Sequence, residues 1–308
     1  MRSVRMPLAL MLLCAAALAL SGCSGAQTSA DALLVELERN GNTDIYLIGL
    51  DGSSRTNLSN HPAWDGTPCW SPDGRQVAFA SDREGSPDIY VMDVDGSNVR
   101  RLTSWDATEF MPAWSPDGKR IAFASDRAYE ERREGGTLTV EAGPEIWIMN
   151  ADGSQPTRLT GGPDDIALYP EWSSDGRQIV YQHVGERIDL ISTDPVSRIT
   201  RNLTETSPLM SWTPAWSPRG DALLFMGDDG SKRDIYVMNQ MGGEVRNLTD
   251  HPASDVDPAW SADGQQIAFI SDRTGSAELF VMDAQGGNLR QITREGVPVA
   301  RPAWRPMP

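Results

Sequence analysis

The chain is predicted to be an all-β protein, a six-bladed β-propeller with four-stranded antiparallel blades. Three observations predict it. Tryptophans stand at 70, 114, 172, 216, 260 and 304, each with a proline two residues before it, at spacings of 44, 58, 44, 44 and 44. Each interval holds four short strand-like segments, and one four-stranded sheet cannot bury both of its faces without neighbours. The sixth copy ends just after Trp304, at Arg305-Pro306-Met307-Pro308, so it carries a first strand and nothing else.

The elements follow in order within the Trp114 copy. Pro112–Trp114 is strand A, and Ser115-Pro116-Asp117-Gly118 is a turn whose glycine is free to take the positive φ a hairpin needs. Ile121–Ala124 is strand B; like Val77–Ala80 and Ile267–Ile270 it is apolar at every position, as a sheet covered on both faces requires. Strand C is Ile146-Trp147-Ile148-Met149, matched by Ile89–Met92, Ile235–Met238 and Leu279–Met282. A Gly turn such as Asp95-Gly96 leads to strand D, marked by Arg101-Leu102-Thr103. Aligned on Asp44-Ile45-Tyr46, the N-terminal part supplies strand B at Leu33–Leu37, C at Ile45–Leu50 and D at Arg55–Ser59. The closing blade therefore combines the C-terminal strand A with N-terminal strands B–D, which leaves no open edge.

Composition agrees: 28 Gly, 21 Pro and 39% hydrophobic residues suit short strands and tight turns. The net charge is −16, and becomes −18 without residues 1–22, whose only charges are Arg2 and Arg5. Phosphate backbones repel such a chain, so no nucleic acid is expected as a partner.

Residues 1–22 read as a signal peptide: two arginines, an apolar run, then small residues before Cys23. Leu20-Ser21-Gly22-Cys23 resembles the bacterial lipobox, which implies that Cys23 is lipidated and becomes the mature N-terminus; ordinary secretory cleavage nearby is the alternative. On this reading 1–22 is the lipoprotein signal peptide, 23–30 the lipidated cysteine and tether, and 31–308 the propeller. Cys69 stands alone in the mature body and replaces the alanine of Ala113, Ala215, Ala259 and Ala303, so a small packed residue is expected rather than a disulfide or reactive thiol.

The phrase P-x-W-S-P-D-G, followed by I-A-F-x-S-D-R-x-G and D-I-Y-V-M-D, resembles the TolB-type, WD-like propeller repeat of bacterial envelope proteins over nearly all of 31–308. The same blades occur in Tol-system proteins, in gating domains of prolyl-oligopeptidase-type enzymes and in pectate-fragment lyases, so the resemblance implies a fold more than an activity. With only residues 24–30 between the lipobox and the repeats, the α/β domain that precedes the TolB propeller is expected to be lacking.

Connectivity sorts the loops. The A–B and C–D turns share one side, the B–C and D–A loops the other. A short tether is expected to turn the A–B side toward the membrane. The longer 58-residue spacing places 14 extra residues in the B–C loop of the Trp114 blade, within 128–145; this is either a tolerated surface hairpin or a recognition arm carrying Tyr129, Arg132, Arg133 and Thr137. Three residues before each tryptophan stand Thr67, Met111, Tyr169, Thr213, Asp257 and Arg301, a variable position inside a constant frame. With Phe110 and Trp212 beside them they form a candidate binding rim at the tunnel mouth; solvent-facing drift or loop packing, as for Leu168, would look alike.

The chemistry sought is not found. Asp82-Arg83, Asp126-Arg127 and Asp272-Arg273 recur, which fits braces for the B–C loops. Asp93-Val94-Asp95-Gly96 lacks the glutamate of an EF-hand. His61 and His251 fall in D–A loops and His183 in a B–C loop, on alternate blades, so no metal is expected. There is no G-x-S-x-G elbow and no catalytic residue or cofactor is assigned. The expectation is a monomeric scaffold of the cell envelope, lipid-anchored and periplasmic if the organism has two membranes, that binds an envelope protein or peptide through its B–C and D–A face. The alternative is an envelope lyase or hydrolase acting on a saccharide in the tunnel.

Overall fold

Strand β1 (Ala32–Arg39) pairs with β2 (Asn42–Gly49) on one side and with β26 (Val299–Trp304) on the other, setting Leu33 opposite Trp304 and Leu37 opposite Val299. With β3 (Arg55–Asn57) outermost, this is the closing blade, in the order β26-β1-β2-β3. The computed structural model describes residues 32–307 apart from 128, 134–135, 141–142 and 162–165. Cys23 and the segments read as signal peptide and tether lie outside them.

Five further four-stranded sheets follow along the chain. The Trp70 blade runs from β4 (Asp65–Trp70) to β7 (Arg100–Arg101), and the Trp114 blade from β8 (Glu109–Trp114) to β13 (Thr157–Arg158). The remaining three run from β14 (Ile166–Trp172) to β17 (Thr200–Asn202), from β18 (Met210–Trp216) to β21 (Arg246–Asn247), and from β22 (Asp255–Trp260) to β25 (Arg290–Gln291). Strands A contact one another round a closed circle, β26 meeting both β4 and β22. Inside the Trp114 blade the insertion forms a separate two-stranded sheet, β10 (Tyr129–Arg133) with β11 (Gly136–Val140).

Why strands B and C lack polar alternation is visible in β1. Leu33, Val35 and Leu37 pack toward the Trp260 blade, against Ile270, Leu279 and Val281. Leu34, on the opposite face, packs toward the Trp70 blade with Phe79, Tyr90 and Met92. Period-two side chains thus serve two different inter-blade cores, and each fully buried one contributes about 1.5–3 kcal/mol.

Strand A begins earlier than the sequence indicates, at Glu109 rather than Pro112. The reason is a bulge: the pairing of β8 with β9 (Arg120–Ser125) slips between Phe110 and Ala113, and the proline there has no N–H to mark a ladder. The composite blade also ends sooner than expected, with strand C closing at Gly49 and D at Asn57.

Turns between blades interlock. The C–D glycine Gly242 takes φ +87°, and a Cβ there would stand 2.2 Å from the Leu203 carbonyl oxygen of the preceding blade. Closure is reinforced by charge: Arg39 and Arg55 of the closing blade reach Glu295 of the Trp260 blade at 2.5 and 2.6 Å.

Candidate functional site: the central channel

All six rim candidates three residues before a tryptophan occupy the same bulge. Thr67, Met111, Tyr169, Thr213, Asp257 and Arg301 have φ between +43° and +56°, a region where non-glycine residues, β-branched threonines above all, are strained. The bulge turns each toward the axis, and the six line one channel of about 360 Å³. From the ring the cavity runs toward Trp70, Pro72 and Pro306 on the A–B side. Phe110 and Trp212 are not in its wall: Phe110 packs into the cores flanking the Trp114 blade, and Trp212 is half-buried.

Hydrogen bonds link neighbouring blades at four of the six ring positions. The Thr67 amide donates to Glu36 Oε1 at 2.5 Å, the Met111 amide to Thr67 Oγ1 at 3.1 Å, the Tyr169 amide to Met111 Sδ at 3.3 Å, and the Arg301 amide to Asp257 Oδ2 at 3.3 Å. A side chain on one blade therefore satisfies the amide that the next blade's bulge has freed.

One bond crosses the axis. Arg301, paired with Asp257 at 3.2 Å, also donates to the Tyr169 hydroxyl, and its guanidinium lies 4.5 Å from the centre of that ring. Burial alone would lower the Arg301 pKa, but Asp257, Tyr169 and Glu36 outweigh it and hold the cation. Burial raises Glu36, against the pull of Arg301.

Two acids at or beside the ring escaped the sequence reading. Glu36 lies in β1, inside an apolar strand. Glu171 stands in the column Cys69, Ala113, Ala215, Ala259 and Ala303, where it is the single charge, and that substitution was a legible signal. Burial pushes Glu171 up to about 7. Its side chain still touches the channel space, ringed by proline and tryptophan. Cys69 is half-buried in the same wall, its thiol pushed up to about 12 by burial and then by Glu171, which disfavours the thiolate.

The remaining motifs fall elsewhere. Arg83 and Arg273 bind Asp65 and Asp255 at 2.8 and 2.9 Å and lie over the Phe79–Tyr90 and Phe269–Phe280 pairs, while Asp82 and Asp272 accept the D–A loop amides of Trp64 and Ser254. These are braces. Arg127 instead lies over Trp105 and Trp147, near Glu109, which burial pushes up to about 7. His61 and His251 accept local amides through Nδ1, and His183 belongs to β15 (Ile179–Val184), not to a loop, because strand B of that blade extends past the expected end. Among the described residues no group of three His, Cys, Asp or Glu could hold a metal ion. In the arm, Tyr129 pairs with Val140 and Arg132 with Thr137; Arg133 faces Gly136 across the hairpin end.

The TolB β-propeller domain model matches residues 26–140 and 138–307. The chain belongs to the TolB β-propeller family. TolB of Acinetobacter baumannii superposes with a TM-score of 0.73 at 21% identity, over 90% of this chain and 67% of that one. A putative TolB of Agrobacterium tumefaciens gives 0.67 at 20%, over 85% and 88%. Oligogalacturonate lyase of Vibrio parahaemolyticus gives 0.53 at 12%, over 82% and 86%, so the fold is shared with an enzyme. In sequence, 75 residues are 37% identical to the Tol-Pal system protein TolB of Alkalilimnicola ehrlichii, covering 22% of this chain and 17% of that protein. Another 92-residue match, 33% identical, is to the peptidase YuxL of Bacillus subtilis and covers 27% and 14%. The chain thus spans less than a fifth of the length of either curated relative through these matches.

Proposed function

We propose that this TolB-family propeller is a cell-envelope scaffold, tethered through lipidated Cys23, that holds a protein or peptide on its B–C and D–A face. The observation that carries the reading is the β10–β11 hairpin: it departs from the six-fold repeat, forms its own sheet, and springs from the B–C side. A rigid disc presenting loops from six sequence positions needs little ordering on binding, and one added arm gives it a direction. The relative from a Tol-Pal system supports an envelope role, and the bulge ring supplies two threonines, a methionine, a tyrosine, an aspartate and an arginine from the six blades.

Photo-cross-linking in native envelopes tests it. A probe at Thr137 is expected to trap one defined partner, which is lost on deletion of 129–140, while a probe at Asp117 on the A–B turn traps none. Turnover of oligosaccharide by the purified chain, with no partner captured, would replace this reading by an enzymatic one.

A further inference from the structure

The exposed apolar side chains are not spread evenly. Among the described residues, every large exposed apolar side chain except Met210 lies on the A–B and C–D side. Val196, Ile199, Met241, Val245 and Leu289 form an arc over the C–D turns of three consecutive blades, with Val196 85% and Ile199 72% exposed. The arc is continuous, since Arg201 Nη1 of one blade meets Met241 Sδ of the next at 3.4 Å. Patches of this kind on a soluble surface mark contact with something else.

Exposed arginines stand between the aliphatic tips: Arg198, Arg201, Arg246 and Arg290. Arg198 gives one bond to the Arg158 carbonyl of β13 and Arg246 one to the Gln285 turn carbonyl, both on neighbouring blades, leaving further N–H groups of the five-donor fork free. Two of the acids beside them are committed locally, Asp194 to the amides of Val196 and Ser197, and Asp283 to those of Gln285 and Gly287. Acid-rich loops such as Asp228-Asp229, Asp250 and Asp272 stand on the opposite side, while on the arc these four arginines stand beside three acids, Asp194, Asp283 and the exposed Glu244. The described chain also begins on the arc's side, where Ala32 pairs with Gly49 at the closing blade's C–D turn.

We infer that this arc is a membrane-contact surface, seated on the phospholipid headgroups of the leaflet that holds the anchor, with its aliphatic tips at the acyl boundary and its arginines on lipid phosphates. The inference rests on the reading of Cys23 as lipidated. Residues 24–31 span at most ~30 Å, so the anchor keeps the disc close enough to raise the effective concentration of a weak surface. Arginine beside aliphatic side chains is the composition of an interfacial surface.

The test uses the full lipidated protein in vesicles of phosphatidylethanolamine and phosphatidylglycerol with brominated acyl chains, carrying a cysteine-linked fluorophore at Met241→Cys or Glu84→Cys. At least fivefold stronger quenching is expected at Met241→Cys. Equal quenching, or stronger quenching at Glu84→Cys, overturns the contact; so does shielding of the Met241→Cys label by a second copy without lipid. Two measurements keep the anchor separate. Intact mass of the mature protein reports acylation of Cys23. Sedimentation of a Cys23→Ser chain with the same vesicles reports the arc alone, and the binding is expected to weaken tenfold or more in V196S/I199S/M241S. Acylation without preferential quenching removes the contact and leaves the anchor; sedimentation without acylation does the reverse.

Discussion

Arg301, on the closing blade, donates a hydrogen bond to the hydroxyl of Tyr169, three blades away in either direction round the ring. The bond spans the axis, so the channel carries a bar at the level of the bulge ring. Asp257 holds the same guanidinium from the neighbouring blade. Arg301→Ala removes the cation that Asp257 and Glu36 face. A loss of about 2 kcal/mol is expected, less than for a fully buried pair because channel water reaches the site. Thermal unfolding measures it, and NMR titration should show the Glu36 pKa moving further up. An unmoved Glu36 would show that the bar does not govern its charge.

Ring closure makes a sharper test. Deleting residues 299–308 strips β26 from β1 and exposes the edge that pairs Leu33 with Trp304. Calorimetry is expected to show a fall in Tm on the order of 10 °C or more. An unchanged melting curve would contradict the strand pairing.

Gly242→Ala probes how neighbouring blades interlock. The new Cβ would meet the Leu203 carbonyl at 2.2 Å in a left-handed backbone, so destabilisation of about 2 kcal/mol or more is expected in urea. Gly230→Ala, also left-handed at φ +85° but with open space around its Cβ, is expected to lose less.

Stability should depend on pH near neutrality. The folded-state pKa of Glu171 lies above that of an unfolded glutamate, so the folded protein binds the extra proton and stability falls as pH rises from about 4.3 toward 7. Glu171→Gln should match the parent near pH 4.5 and exceed it at pH 8. Glu109, raised to about 7 in the same way, leaves part of the slope, and E109Q/E171Q is expected to flatten it further. Urea midpoints across that range decide the matter.

The sequence by itself determined the number of blades, the strands within each, the turn glycines and the composite blade, because these follow from local periodicity and from where the repeat is cut. It also picked out the six ring positions, as variable residues in a constant frame. Only the tertiary structure showed that these residues take left-handed backbone, that they line one channel with Glu171, that Phe110 packs away from it, and that Glu36 accepts the Thr67 amide. The physical reason is distance. Arg301 and Tyr169 are 132 residues apart, and no local pattern records a contact whose geometry exists only once six sheets have closed into a circle. Proline just after the bulge hides it further, since a missing N–H leaves no alternation from which the chain's turn toward the axis could be read.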